Sequence, residues 1–349
     1  MKKLVVLLFF FLFLNGCSTT TTTADSETDA STPRIVIGFS QLGTESNWRK
    51  QHTESVQTEL EKEGYEVLYR NAYLSLEQQI QDIRSFISYN VDIIVLSPLQ
   101  ESGWDDILLE AQKADIPVFV VDRSIEVSQE TLKKSAELAL EEGAGKELMV
   151  THIGPSFKAE GNRAGLYVSN YFRNQEYNEI KVLELTGNVN ASPTILRSEG
   201  FSETIQRNYQ DNQQTIQVVD SISGDFIRRK GKEAMADYIA QKDISQIDVL
   251  FSQSDEMTLG AMEALGAAGV TPGKDIIIVS IDAQKNMIDK LKAGEVNCVV
   301  ECNPNQGIYV RNAIKRFLEG KTDLPKEIYV HETVFSDDMD FSQIPPRNY

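Results

Sequence analysis

The sequence predicts an α/β protein made of two doubly wound parallel-sheet lobes. Short continuous runs of β-branched and other apolar residues recur along the chain, and each is followed by a stretch with helical apolar periodicity. Strands that are apolar on both faces and alternate with helices are typical of parallel sheets covered on both sides. The alternation occurs in two arrays of similar length, which indicates two similar lobes.

The first array contains four predicted strands with helices between them. The strands are residues 35–39, 67–69, 93–96 and 117–121. The helices are residues 48–63, 76–89 and a third that starts at Ser102 or Gly103 and ends at residue 114. Apolar side chains at positions 76, 80, 83, 86 and 87 form the stripe expected of an amphipathic helix. Gly64 ends the first helix.

The second array repeats the pattern. Its predicted strands are residues 180–185, 216–221, 249–252, 276–281, 296–301 and 328–334. Its predicted helices are residues 195–208, 226–240, 257–268, 287–293 and 306–318. Between the arrays, residues 133–149 are rich in Glu, Leu and Ala and are predicted to be helical before a strand at 150–153.

The N-terminus predicts export and lipidation. A basic start precedes an apolar run over residues 4–14, which is too short to span a bilayer and is typical of a secretory signal. The run closes in Leu-Asn-Gly-Cys at residues 14–17, which resembles a bacterial lipobox with an unusual Asn. We therefore expect residues 1–16 to be a lipoprotein signal peptide and Cys17 to carry lipid. A plain cleaved signal with an incidental cysteine is the alternative.

Residues 17–33 predict a flexible tether. They are rich in Ser, Thr and Asp and contain no apolar cluster. Such a stretch cannot bury enough apolar surface to offset the entropy lost on ordering. Pro33 closes the tether, so folded structure is expected from Arg34 onward.

Composition excludes some function classes. The hydrophobic content of 41% and the charged content of 25% are those of a globular chain. The formal net charge of −18 argues against a nucleic-acid partner, because phosphate binding needs a basic surface.

Cysteine and histidine give no metal or disulfide signal. Cys298 and Cys302 lie in one predicted strand, where their Cα atoms would be ~13 Å apart, beyond disulfide reach, so both are predicted to be core residues. His52, His152 and His331 are scattered along the chain, so no histidine zinc site is predicted. No metal and no cofactor is expected.

Polar and aromatic residues follow many of the predicted strands. They are Gln41, Glu45, Ser46, Trp48, Arg49, Asp122, Arg123, Asn190, Arg197, Asp225, Phe226, Ser254, Asp282 and Glu301. Ligands of open α/β sheets gather at these carboxyl ends. Carboxylates and guanidinium groups each bind adjacent hydroxyls, and aromatic rings cover the apolar face of a sugar. The set predicts a sugar site, although Ser254 and Asp282 could each be helix caps instead.

Seven stretches carry a resemblance to a known family. They are IGFSQLGTESNWR, IPVFVVDRS, LRSEGF, SGDFIRRKG, SDEMTLGAMEALGAAG, PGKDIIIVSID and VECNPNQG, and together they span most of residues 34–320. The chain resembles periplasmic sugar-binding proteins of the ribose-binding type (type 1), which feed ABC importers. The first stretch, Ser-Gly-Trp at residues 102–104 and the SGDF stretch most resemble the galactofuranose-binding members.

The resemblance implies two lobes joined by a three-crossover hinge. The crossovers would lie near residues 151–155, 303 and 327–329. The first lobe would comprise residues 34–152 and 304–327, and the second residues 153–303 and 328–349. Sugar would bind in the cleft, and the lobes would close around it.

The resemblance also implies roles for single residues. From the first lobe, Asp122 and Arg123 would hold ring hydroxyls, and Trp48 would stack on the sugar beside Glu45 and Arg49.

Arg197 would be the arginine that the second lobe contributes, and Asp225 and Phe226 would add a carboxylate and an aromatic wall. Asp282 would be the family's aspartate that follows the strand at 276–281, and Glu301 would be a polar residue beside the hinge.

A few positions depart from the family pattern. Ser254 stands where the family has Asn, Ala283 where it has Gly, and residues 156–157 where it has Asp-Asn. Residues 133–149 are interpreted as an insertion.

The leading hypothesis is a lipid-anchored solute-binding protein that delivers a monosaccharide, such as galactofuranose, to an ABC importer. Its expected partners are the sugar, the permease subunits and the membrane, the last through the lipid anchor alone; the protein is expected to be a monomer. The first alternative is a sugar sensor that docks on a membrane receptor kinase. The second is a glycoside hydrolase, whose paired carboxyls the sequence spacing cannot test; the resemblance argues against an enzyme.

Overall fold

Two sheets organise the part of the chain that the structure describes. The structure is a computed structural model that describes residues 34–173, 175, 179–212, 215–321 and 323–349. The predicted signal peptide, Cys17 and the predicted tether lie outside the described residues. No helix in the described ranges combines the length and the apolar character needed to cross a membrane.

The strands and helices alternate along the chain. The strands are β1 (Val36–Gln41), β2 (Glu66–Asn71), β3 (Ile93–Ser97), β4 (Val118–Val121), β5 (Thr151–Gly154), β6 (Glu179–Thr186), β7 (Thr215–Ser223), β8 (Val249–Ser252), β9 (Ile277–Asp282), β10 (Cys298–Glu301), β11 (Glu327–Tyr329) and β12 (Val334–Ser336). The helices are α1 (Asn47–Lys62), α2 (Leu76–Tyr89), α3 (Asp105–Lys113), α4 (Gln129–Leu138), α5 (Phe157–Phe172), α6 (Ser192–Asn212), α7 (Arg228–Gln241), α8 (Asp255–Ala267), α9 (Lys285–Lys292) and α10 (Gly307–Leu318).

The first sheet is parallel throughout. Its spatial order is β11-β5-β4-β3-β1-β2. The side chains of β3 and β4 are buried on both faces, which explains their continuous apolar sequence. One face packs on α1 and α10 through Val56, Val310 and Ile314, and the other packs on α2 and α3 through Phe86 and Trp104. The first lobe is therefore covered by helices on both sides.

The second sheet repeats this plan with one reversed edge. Its spatial order is β12-β10-β9-β8-β6-β7, and only β12 runs antiparallel to its neighbour. Helices α5 and α6 cover one face and α7, α8 and α9 the other, through residues such as Phe201 and Met257. The predicted fold of two doubly wound lobes is confirmed.

Three chain crossings connect the lobes. They follow β5, β10 and β11, and residues 330–333 form the third. The expected boundaries at 152/153 and 327/328 fall inside β5 and β11, whose pairing keeps residues up to Gly154 and Tyr329 in the first sheet. The single strand predicted at 328–334 was wrong: it is two strands in different sheets, because the chain changes lobe between them.

The segment at residues 133–149 is only partly helical, so that expectation was wrong in its bounds. Helix α4 starts earlier, because the Ser128 hydroxyl accepts a hydrogen bond from Thr131 N at 3.2 Å, and it ends at Leu138. Gly143 has a positive φ of 80°, which no helix accommodates. The amide of Gln112 donates to the carbonyls of Ser135 and Gly145, so this irregular stretch is fixed to α3.

Two smaller predictions also have outcomes. Cys298 and Cys302 are buried and form no disulfide, as predicted.

Helix α10 packs on α1 in the first lobe, and a Cβ at Gly307 would lie only 2.0 Å from the carbonyl oxygen of Ser55. The two helices therefore need glycine at this close approach.

Candidate binding cleft

A cavity lies between the lobes at the carboxyl ends of both sheets. It contains about 400 Å³ of space free of protein atoms, including its opening. Its lining comes from both lobes: Glu45, Ser46, Trp48, Arg49, Asp122, Arg123, Phe157, Pro193, Arg197, Phe226, Ser254, Glu256, Asp282 and Cys302.

Arg49 organises the charges of the first lobe. Its Nη1 donates to Asp122 Oδ2 at 2.6 Å, and its Nε donates to Glu45 Oε1 at 3.3 Å. The side chains of Arg49 and Asp122 are only 5% and 3% exposed. Burial alone would raise the pKa of Asp122, but the charge and hydrogen bond of Arg49, together with the charges of His52 and Arg123, outweigh burial and hold that pKa below its ordinary value. Asp122 is therefore a carboxylate, able to accept hydroxyl hydrogens.

Arg123 is held differently. Its Nη1 donates to the Leu99 carbonyl at 2.5 Å, and its guanidinium lies 5.3 Å from the ring centre of Phe226 in the opposite lobe. Burial, and then the charge of Arg49, lower the pKa of Arg123 to about 10. Its Nε is buried without a partner among the described residues.

Trp48 is fixed from behind by a polar cluster. The indole Nε1 donates to the Cys302 carbonyl at 2.5 Å, and the ring stacks on His52 with centroids 5.4 Å apart. His52 contacts Gln41 and Gln306 at 3.0 and 3.1 Å. Gln41 is thus buried behind the cleft, where it orients the imidazole under Trp48 and does not line the cavity.

Arg197 is the cation of the second lobe. Its Nε donates to Glu160 Oε2 at 2.6 Å and its Nη1 to the Gln253 carbonyl at 2.7 Å, while its guanidinium lies over Phe157 at 5.1 Å. Burial opposes its charge, but Glu160, Cys302 and Asp282 together outweigh burial and raise the pKa of Arg197. Arg197 therefore stays charged and rigidly placed beside the cavity.

Asp282 lies next to a second buried carboxyl. Its Oδ2 accepts from Asp255 N at 3.2 Å at the start of α8, and Asp255 in turn accepts from Ser280 and from Gln284 N. Burial first, and the neighbouring Asp255 second, raise the pKa of Asp282 well above its ordinary value. Asp282 and Ser254, which caps α8 through Met257 N, each line the cavity and bond the helix start, and their role in sugar binding stays a prediction.

The backbone at the strand ends is strained. Asp122, Phe226 and Asp282 have φ values of 65°, 61° and 125°. Because Asp225 and Phe226 both have positive φ, α7 starts at Arg228 and not at the predicted 226. A Cβ at Gly187 would lie 1.9 Å from the Phe226 ring, so this glycine makes room for the aromatic wall.

Three other predicted residues also lie off the cavity. Asp225 pairs with Lys230 at 2.6 Å and Asn188 at 3.0 Å on the rim. Asn190 has an exposed side chain, and its carbonyl accepts from Glu101 N of the opposite lobe at 3.0 Å. Glu301 accepts from Thr333 N at 2.9 Å and pairs with Arg347, so it lies at the hinge.

Sequence reasoning missed four lining residues: Phe157, Pro193, Glu256 and Cys302. For two of these residues, their place in the sequence shortly after a strand end could have indicated the cleft. Phe157 follows the end of β5 at the point where the family pattern differs, and Glu256 follows Ser254 at the end of β8. Cys302 was predicted to be core; it is 2% exposed and also forms part of the cavity wall.

The two lobes touch across the cleft. Ser124 N donates to Ser192 Oγ at 3.0 Å, and Glu101 N reaches the Asn190 carbonyl. With Arg123 over Phe226, these contacts close the mouth. In this structure the lobes meet around a small interior that charged, hydroxyl and aromatic groups line.

Comparison with known proteins decides the family. The sequence profile of the periplasmic binding protein domain matches residues 37–322. The chain belongs to this family. It is 33% identical over 305 residues to the galactofuranose-binding protein YtfQ of Escherichia coli, covering 87% of this chain and 88% of the relative.

Solved structures agree with this membership in the periplasmic binding protein family. A Mycobacterium smegmatis protein in complex with β-D-fucofuranose is 36% identical, with a TM-score of 0.76 and coverage of 87% of this chain and 91% of that one. The binding protein of the arabinose ABC transporter from Shewanella sp. ANA-3, bound to α- and β-L-arabinofuranose, is 34% identical, with a TM-score of 0.76 and coverage of 87% and 92%. The family and the relatives that match this chain are solute-binding proteins, as the resemblance implied.

Proposed function

We propose that this protein captures a furanose monosaccharide in the interlobe cleft and delivers it to an ABC importer from outside the cytoplasmic membrane. The chemistry of the cleft supports a sugar. It offers the Asp122 carboxylate, two guanidinium groups at Arg123 and Arg197, and two aromatic walls at Trp48 and Phe226. Ring hydroxyls pair with the first two kinds of group, and ring C–H faces pair with the third.

One observation carries the proposal furthest. Two polar atoms at the cavity, Glu45 Oε2 and Arg123 Nε, are buried and have no partner in the described residues. One is an acceptor and the other a donor. Each unpaired buried group costs roughly 1–3 kcal/mol, so a ligand that both donates and accepts would remove that cost. A hydroxyl-rich sugar does both.

The furanose form is supported by the relatives. The three most informative of them, at 33–36% identity, are named or solved with galactofuranose, fucofuranose and arabinofuranose. We extend this ring form to the present chain and leave the identity of the sugar to experiment.

A thermal-shift screen tests sugar capture. Monosaccharides that populate furanose rings are added to the purified protein, and sugar alcohols of the same size serve as controls. A sugar that binds only the folded state raises the melting temperature by mass action. No shift with any monosaccharide, together with a shift from a ligand of another chemical class, would contradict the proposal.

A variant links the shift to the cleft. Arg123→Met should abolish the sugar-induced shift and change the melting temperature without sugar only a little, because it removes a buried cation with an unpaired Nε but also the hydrogen bond to the Leu99 carbonyl. An unchanged sugar-induced shift in this variant would mean that the sugar binds outside the cleft that Arg123 lines.

Delivery from a lipid anchor is the second part of the proposal. The lipobox-like sequence at residues 14–17 motivates it. Cys17→Ser should release the protein from the membrane fraction. Membrane association that survives the substitution would contradict the anchor, and sugar-dependent binding to a receptor kinase in place of a permease would contradict the importer role.

A further inference from the structure

Three side chains in or next to the three crossovers lie together beside the cleft. Glu160 lies in the first turn of α5, just after the first crossover; Cys302 lies in the second; and Glu332 lies in the third. One carboxylate oxygen of each glutamate and the Cys302 sulfur all lie within 4.8 Å of one another. The side chains of Glu160 and Glu332 are 0% and 1% exposed. Two acids are therefore buried side by side at the hinge.

Their other contacts link the hinge to the cleft. Glu160 Oε2 accepts from Arg197 at 2.6 Å, and Arg197 lines the cavity. Glu332 Oε1 accepts from Asn303 N in the second crossover at 3.3 Å, and its Oε2 accepts from Arg163 Nη1 at 3.0 Å. The pair thus connects α5, two crossovers and the cation of the second lobe.

One atom of the pair lacks a donor. Glu160 Oε1 is buried and accepts no hydrogen bond from the described residues. The charged and titratable groups that face the pair are Arg197, Arg163, Cys302 and Asp282. None of these supplies a hydrogen to Glu160 Oε1, whereas a proton on Glu332 would.

We propose that Glu160 and Glu332 share one proton across the hinge, and that the neutral Glu332 thereby positions Glu160, and through it Arg197, for the ligand. A carboxylic acid that donates to a carboxylate satisfies the unpaired oxygen and removes the repulsion between two buried anions. Burial, and then the charge of Glu160, raise the pKa of Glu332 to about 10, which agrees with a proton held on Glu332. Glu332 is a positioning residue, since it contacts the hinge and not the cavity.

The sign of the pH dependence follows. The ordinary pKa of Glu332 is 4.5, so the unfolded chain loses this proton near that pH while the folded chain keeps it up to about 10. Between these values the folded state binds more protons, and the free energy of unfolding therefore falls as the pH rises.

Two matched variants test the inference. Glu332→Gln keeps the shape and a hydrogen donor without a titratable proton. Glu160→Gln removes the charge that faces Arg197. Melting temperatures of the purified protein are measured from pH 6 to pH 9 without sugar, and sugar affinity is measured at pH 7 with the sugar found by the screen.

Glu332→Gln gives up one of the two acceptors that Asn303 N and Arg163 use, but it still donates to Glu160. We expect its melting temperature at pH 6 to lie closer to wild type than that of Glu160→Gln, and to fall less than that of wild type between pH 6 and pH 9. Its sugar affinity should fall by less than that of Glu160→Gln. Glu160→Gln should melt lower and bind at least tenfold more weakly, because Arg197 loses its buried partner.

Three results would overturn the inference. The first is a pH dependence in Glu332→Gln that equals wild type. The second is a loss of melting temperature at pH 6 as large as that of Glu160→Gln. The third is a chelator-sensitive melting temperature in wild type, which would mean that a cation and not a proton joins the acids. Only the affinity measurement rests on the proposed sugar binding. The melting temperatures test the shared proton even if no sugar binds.

Discussion

Asp122 connects stability and binding within one side chain. Its carboxylate neutralises the buried Arg49 and also faces the cavity. We expect Asp122→Asn, which tolerates the positive φ, to weaken sugar binding by ~2–5 kcal/mol, because Arg49 loses the closer of its two carboxylate partners. The free energy of unfolding should fall by roughly 1–3 kcal/mol for the same reason. Calorimetry and denaturant unfolding measure the two effects.

Asp225→Asn is the matched control for this prediction. Asp225 also ends a strand with positive φ, but it pairs with the half-exposed Lys230 on the rim, where an ion pair contributes ~0–1 kcal/mol. Its sugar affinity should stay within about twofold of wild type. Equal losses in the two variants would contradict the placement of Asp122 in the site and Asp225 outside it.

Sequence reasoning could place residues at the cleft edge but not orient them. Asp225 and Phe226 are adjacent, and only the backbone turn decides that the ring faces the cavity while the carboxylate faces Lys230. The partner of Glu301 is Arg347, 46 residues later, which no local pattern indicates. Phe157 was noted only as part of a departure from the family's Asp-Asn pair, and no local pattern indicates that its ring lines the cleft.

At the level of elements, two glycines set the distance between α5 and α6. A Cβ at Gly200 would lie 2.1 Å from the Lys158 carbonyl, and one at Gly161 would lie 2.1 Å from the Arg197 carbonyl. This close approach brings Glu160 to Arg197. We expect Gly200→Ala to lower the free energy of unfolding by about 1–3 kcal/mol through overpacking and to weaken sugar binding by displacing Arg197.

Gly266→Ala is the control for helix glycines. Gly266 is exposed near the end of α8, and a Cβ there would meet no atom within 4 Å. The substitution should raise the free energy of unfolding by about 0.5–1 kcal/mol through helix propensity and leave binding unchanged. A Gly200→Ala variant that behaves like this control would contradict the account of the helix contact.

Elements with strong local patterns were predictable, and those set by distant contacts were not. The buried strands β3, β4 and β9 have continuous apolar sequences that indicate them directly. The break between β11 and β12 depends on which sheet each strand joins, and this is a tertiary choice. The end of α4 depends on Gln112, which holds the following loop from a different helix.

At the level of the whole molecule, the lobes meet at the cleft mouth and also at Trp48, which packs with core residues of the second lobe and donates to the Cys302 carbonyl. Two hydrogen bonds and the Arg123–Phe226 contact join the lobes at its mouth. Unpaired Glu45 Oε2 and Arg123 Nε oppose closure without ligand. We therefore expect the radius of gyration from small-angle scattering to be larger without sugar and to fall on binding. Equal profiles with a tightly bound sugar would contradict ligand-linked closure.

The central claim is that this cleft selects the furanose ring. Calorimetric titration with anhydrogalactitol and anhydroarabinitol tests it most directly, because each exists in a furanose-ring and a pyranose-ring form that cannot interconvert. We predict that, for the anhydroalditol that binds, the furanose-ring form binds at least tenfold more tightly than its pyranose-ring partner, and that Asp122→Asn weakens this binding. Equal or tighter binding of the pyranose-ring form would contradict it.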